Sequence, residues 1–280
     1  MAIVLDGTAN TVTPLNGALG GTTPSTVVAT SVNTPDTFGF KNLLIDAGFT
    51  INQRGYVSGA TLSSGSYGHD RWKAGASGGD YTFTQLASST TITIASGKSL
   101  IQVVEDKNVN DTSFVLSWTG TAQARYAVNG ATPSGSYAAS PILITGQTVG
   151  TTMSVEFNTG TLSKPQLELG STATSFDVRD YGRELIMCQR YYSKFMVGFD
   201  YRAPASGSTL CGAAATYSTT MRAKPTLATG NIAQQANVGT LYFPADSSLN
   251  TTYGASLQMD SSAYSVRAYY FNFLSASAEL

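Results

Sequence analysis

The sequence predicts an all-β protein: two β-sandwich, jelly-roll-like domains joined by one short helix and preceded by an extended N-terminal arm. Three observations carry this. Only 12% of the 280 residues are Asp, Glu, Lys or Arg, too few to coat the outer faces of many amphipathic helices. Thr (37), Ser (32) and Gly (28) make up about a third of the chain, a mixture that disfavours helix and suits half-buried strands joined by turns. Apolar and polar residues alternate in many short runs, the period of a strand.

Residues 1–39 contain no Lys or Arg and are rich in Thr, Gly, Ala and Pro. One short strand fits Val27–Val32, but the rest lacks the apolar surface for a core. The segment is read as an attachment arm or a free tail. Residues 40–180 form a train of strands: Tyr81–Leu86, Thr90–Ile94, Ser99–Glu105, Ser113–Thr119, Gln123–Val128 and the alternating Met153–Phe157. In Ser113–Thr119 the side chains of Phe114, Leu116 and Trp118 share one face. This spacing indicates a sandwich with Greek-key or jelly-roll wiring.

Residues 181–195 are expected to be helical. Asp180 caps, Glu184 sits in the first turn, Leu185, Cys188 and Tyr192 share a face, and Arg190 and Lys194 suit the C-terminal dipole. Residues 196–280 return to strands at Leu210–Tyr217, Gly239–Phe243, Tyr253–Met259 and 264–273, the last apolar on both faces and so central in a sandwich or buried by a second chain.

A formal net charge of −1 leaves no large basic face for nucleic acid, and the composition points to an uncharged partner. No apolar run reaches the roughly 18 residues of a membrane span, and residues 1–6 do not read as a signal peptide. Cys188 and Cys211 are expected as free thiols of a chain made in a reducing cytosol. No cofactor is implied.

The chain is expected not to be an enzyme. His69 is the sole histidine, and Asp70 beside it on an extended chain points to the opposite face, so it reads as a structural turn or core-edge residue. Glu105 and Asp106 read as solvated hairpin residues. One His and two separated Cys cannot close a zinc shell. Asn108, Asn110 and Asp111 form a weak calcium candidate, without the Gly and terminal Glu of an EF-hand loop. Trp118 and Trp72 read as core. The carbohydrate-binding candidates are Tyr137, Tyr201, Tyr242 and Tyr253, rings near small polar residues that give contact area at low entropic cost.

The stretches Asn42–Ile45, Ile51–Gly55 and Tyr67–Lys73, then Gln166–Glu168, Gly170, Ala173-Thr174, Phe176 and Arg179, then Glu184-Leu185, Cys188–Tyr192, Met221–Thr226 and Ala278–Leu280 resemble bacteriophage tail fibres and tail-associated structural proteins. Their order covers about 40–280. The Gln166–Arg179 tract is similar to segments that close carbohydrate-binding jelly-roll modules. The resemblance implies a virion protein assembled in the host cytoplasm, a homotrimer, attached to the tail or baseplate through residues 1–39. It would adsorb to a host surface polysaccharide through residues 196–280, with neither nucleic-acid binding nor membrane insertion. A purely structural tail or baseplate connector is the alternative, and a polysaccharide depolymerase the third reading. No catalytic residue carries over.

Overall fold

The computed structural model describes residues 37–38, 40–195, 199–201, 209–228, 234–236, 241–242, 251–261, 266–269 and 274–280. The chain divides between Thr34 and Pro35, and every described residue belongs to the second unit. The Val27–Val32 strand therefore lies outside the described residues.

A short β1 (Thr37–Phe38) pairs in parallel with β11 (Asp177–Val178). Between them lies an antiparallel sandwich. One sheet has the order β3 (Tyr81–Phe83), β4 (Ile92–Ile94), β10 (Gly160–Leu169), β6 (Phe114–Thr119), β8 (Ile142–Ile144). The other has the order β2 (Lys73–Ala74), β5 (Leu100–Val104), β9 (Met153–Phe157), β7 (Ala124–Ala127). From β4 to β10 each strand crosses to the opposite sheet, which is jelly-roll wiring. Beyond β7, Ala138 bridges Ala124 and extends the second sheet's edge.

The predicted alternation explains the core. Phe114, Leu116 and Trp118 of β6 are all buried, as are Met153, Val155 and Phe157 of β9. Trp72 stacks on Phe49 at 4.9 Å and meets Phe157 edge-on at 5.9 Å, while its Nε1 donates to the Asp46 carbonyl at 2.9 Å. Burying each such ring contributes about 2–3 kcal/mol. β10 tolerates Pro165 in mid-strand because its register shifts between Ser163 and Gln166, with Lys164 at φ +52°.

Helix α1 (Tyr181–Gln189) starts where expected: the Asp180 carboxylate accepts from the Arg183 N–H at 3.2 Å. It ends at Gln189, short of residue 195, because Tyr192–Phe195 form β12 against β20 (Leu274–Ser277). The long-range pairing overrides the helical periodicity that placed Tyr192 on its face. Its buried residues are Glu184 and Cys188, and Cys188 is a free thiol.

The remaining strands make three antiparallel three-stranded sheets. β15 (Thr226–Ala228) joins β12 and β20. β13 (Phe199–Tyr201), β19 (Val266–Tyr269) and β16 (Gln234–Ala236) form the second. β14 (Thr209–Thr216), β18 (Gly254–Ser261) and β17 (Leu241–Tyr242) form the third. Tyr217, Met221, Ala276 and Ala278 pack as a small core. Residues 262–265 and 270–273 fall outside the described residues, and with them the reading of 264–273 as apolar on both faces. The described residues form an all-β sandwich with one α-helix.

Candidate functional site

Two features bring distant polar side chains together. The first is a latch. Glu279 accepts from Arg54 Nη2 at 3.0 Å and from Arg71 Nη1. Arg71 also donates to the Val103 carbonyl at 2.6 Å and lies 3.7 Å over the Tyr191 ring. Arg54 bonds Asp70 at 3.2 Å and lies 3.7 Å over Tyr192. Tyr67 and Lys73 donate to the Leu280 backbone oxygen at 2.8 and 2.9 Å, and Arg222 Nε to the Ala278 carbonyl at 2.9 Å. The latch is held by partners from within the chain, although the buried Arg71 Nε meets no acceptor among the described residues.

His69 sits beside it as a core residue. It is fully buried, with Nδ1 2.7 Å from the Tyr81 hydroxyl and Nε2 3.0 Å from Gln85 Oε1. Burial pulls its pKa below the usual value, against the Gln85 hydrogen bond. Asp70 is pushed up to about 6 by burial, against the pull of Arg54 and Gln53.

The second feature is an open cleft of about 290 Å³ between α1 and the edge of the sandwich. Its apolar wall is Phe40, Leu43 and Met187; its polar groups include Asn108, Arg179, Arg183 and Arg190. Pairing of β1 with β11 brings Phe40 to the rim, where it is 75% exposed. Arg183, in the first turn of α1, holds its guanidinium 4.2 Å over the Phe40 ring. Arg179 donates to the Leu44 carbonyl at 2.9 Å and to Glu184 at 3.1 Å. Arg190 binds Glu105 at 2.8 Å, and the Tyr191 hydroxyl donates to the same carboxylate at 2.7 Å. Burial works against the Arg190 charge, but Glu105 outweighs it and holds the guanidinium above its usual range.

Glu105 is thus not the solvated hairpin residue the sequence implied. It is 4% exposed, because Arg190 and Tyr191 cover it from across the chain. Burial pushes its carboxyl up, but the Tyr191 and Arg190 hydrogen bonds together leave it below the usual range.

Tyr137 and Tyr253, two of the predicted sugar-binding tyrosines, do not line this cleft. Tyr137 is half-buried on the loop beside β7, with Arg125 at 4.5 Å over its ring and Glu156 bound to Arg125 at 2.7 Å. Tyr253 is 68% exposed beside a turn in which Thr251 Oγ1 accepts its N–H at 3.1 Å. Tyr201 lies in β13 opposite Val266 and Tyr242 in β17 opposite Gln258, and their side chains lie outside the described part. Of the calcium candidates, Asn108 lines the cleft, Asn110 is exposed, and Asp111 Oδ1 accepts the Thr112 N–H at 2.6 Å. Among the described residues no group of three or more His, Cys, Asp or Glu could hold a metal, and no helix is long and apolar enough to cross a membrane. Phe40 and Arg183 were missed by sequence reasoning; a lone aromatic beside Lys41 carries no periodic signal.

No family model and no curated protein matches the chain. Among solved structures, discoidin II of Dictyostelium discoideum aligns over 84% of this chain and 90% of that one, at 10% identity and a TM-score of 0.18.

Proposed function

We propose that this chain is a glycan-binding adhesin of the phage tail-fibre kind, and that the cleft beside α1 is its receptor site. The observation that carries this is the exposed Phe40 ring at the rim of a solvent-open cleft whose other walls offer guanidinium and amide donors. A pyranose presents an apolar C–H face and a hydroxyl edge, and this pairing of ring and fork donors answers both. The rigid sandwich holds the cleft, as expected of a site whose loops ride on a packed scaffold. The receptor contact then lies within residues 40–191 rather than in 196–280. Attachment through residues 1–39, trimeric assembly and the absence of catalysis belong to the same reading, supported by the resemblance of the motif residues to tail-fibre proteins.

Glycan-array binding by the full-length chain tests it. The wild type binds at least one class of surface polysaccharide, and Phe40→Ala weakens that binding at least tenfold while leaving thermal unfolding unchanged. Undiminished binding by Phe40→Ala defeats the assignment of the site.

A further inference from the structure

We infer that the sugar seated in this cleft carries a carboxylate, and that Arg183 is the residue that reads it; the inference rests on the glycan reading above. Among the described residues three arginines line the cleft and no carboxylate does. Two of the three are neutralised by the protein itself: Arg190 by Glu105 at 2.8 Å and Arg179 by Glu184 at 3.1 Å. Both carboxylates are buried, so those charges are balanced and their N–H groups largely occupied.

Arg183 differs. It is exposed, and its guanidinium is held against the Phe40 ring, 4.2 Å from the centroid, with no ion-pair partner among the described residues. Stacking on an aromatic face orders a planar fork without occupying its donors. What remains is one pre-positioned, uncompensated positive charge beside an exposed ring. A uronic-acid-type pyranose matches it in charge and shape: its single carboxylate accepts two parallel N–H bonds from the fork while its C–H face meets the apolar wall. The composition points to an uncharged partner, whereas the cleft wall offers a guanidinium that binds no carboxylate among the described residues.

Charge-assisted hydrogen bonds to a partly exposed site support about tenfold discrimination per sugar, not more. The test uses the full-length chain, an immobilised polyuronate and the same polymer after chemical reduction of its carboxyl groups to alcohols. The wild type is expected to bind the acidic polymer about tenfold more tightly than the reduced one, with the difference shrinking as salt is raised. Arg183→Gln is expected to bind the two forms equally. Arg183→Lys is expected to recover only part of the preference, because an ammonium lacks the bidentate fork. Equal wild-type binding to both polymers, or a stronger response to a phosphorylated neutral polymer, overturns the carboxylate assignment while the glycan reading stands. Binding to no polysaccharide of either type across a broad array overturns the glycan reading itself.

Discussion

Glu279→Gln should loosen the whole latch, and the structure sets the size of the effect. Arg71 is 2% exposed and Glu279 8% at the side chain, and Glu279 serves both Arg71 and Arg54. Removing one partner of a buried pair leaves an uncompensated charge in a low-dielectric site and costs about 3–5 kcal/mol. The lower end applies here, since Arg71 keeps the Val103 carbonyl and the Tyr191 ring, and Arg54 keeps Asp70. Urea unfolding followed by tryptophan fluorescence is a fitting assay, because Trp72 adjoins Arg71 and is fully buried with Phe49 and Phe157. With a denaturant slope of about 3 kcal/mol/M, a loss of about 3 kcal/mol lowers the midpoint by about 1 M. The double variant Arg71→Met, Glu279→Leu should be more stable than Glu279→Gln alone, because it leaves no stranded charge at Arg71. A single variant within about 0.5 kcal/mol of wild type, the range of ordinary surface substitutions, or a double variant no better than the single, refutes the reasoning.

Three further outcomes follow from the same interior. Asp70, held up to about 6 by burial, binds its proton more tightly folded than unfolded, where its pKa is about 4. Its contribution therefore makes stability fall as pH rises from about 4 to 6 and flat above; Asp70→Asn should remove that slope, and a midpoint-against-pH curve parallel to wild type would exclude it. Tyr81→Phe deletes the hydroxyl that accepts the His69 N–H and meets Nδ1, both at 2.7 Å, so it should cost about 1–3 kcal/mol in the same titration; a neutral substitution would show that His69 finds other partners. Gly160→Ala places a methyl 2.7 Å from the Ala122 nitrogen at φ +132°, so its melting point should drop well below that of Gly97→Ala. The latter has φ +71° and nothing within 4 Å, and costs about 1–2 kcal/mol from backbone conformation alone; equal melting points would contradict the steric argument.

What the sequence disclosed is what neighbours along the chain determine. The alternation of Phe114, Leu116 and Trp118, the cap at Asp180 and the strand Met153–Phe157 are local patterns, and each reappears in the fold. What stayed hidden depends on partners far away in sequence. Glu105 is 85 residues from Arg190 and 86 from Tyr191, so nothing near it distinguishes a buried, triply bonded carboxylate from a solvated turn. The helix end is the same case: Tyr192–Phe195 read as a helical continuation until Leu274–Ser277 pair with them. Tyr137 reads as a free loop ring because Arg125, the cation over it, sits on β7 across the turn. The candidate cleft suffers most, since Phe40 and Arg183 are brought together by the parallel pairing of β1 with β11.

The motif residues read from the sequence build the latch and also much of the cleft wall, where Asn42, Leu43, Ile45, Arg179, Arg190 and Tyr191 stand. Tyr67, Asp70, Arg71, Lys73, Arg54, Tyr191, Tyr192, Arg222 and Glu279 all take part in the latch. Asn42, Gln166, Glu168 and Asp177 form a second buried network under β1 and β11: Asn42 Nδ2 donates to the Pro165 carbonyl at 3.1 Å, and Gln166 Nε2 to Glu168 at 2.8 Å. Buried polar groups of this kind are costly unless every partner is present, so they must occur together or not at all. That interdependence makes them legible as ordered motifs spread over 40–280. Phe40 and Arg183 are exposed, and in the proposed site they answer to a ligand rather than to a neighbouring carboxylate. Exchanging them should alter what is bound at little cost to the fold. On this reasoning the motif residues hold the scaffold, and the proposed specificity lies in side chains free to change without disturbing it.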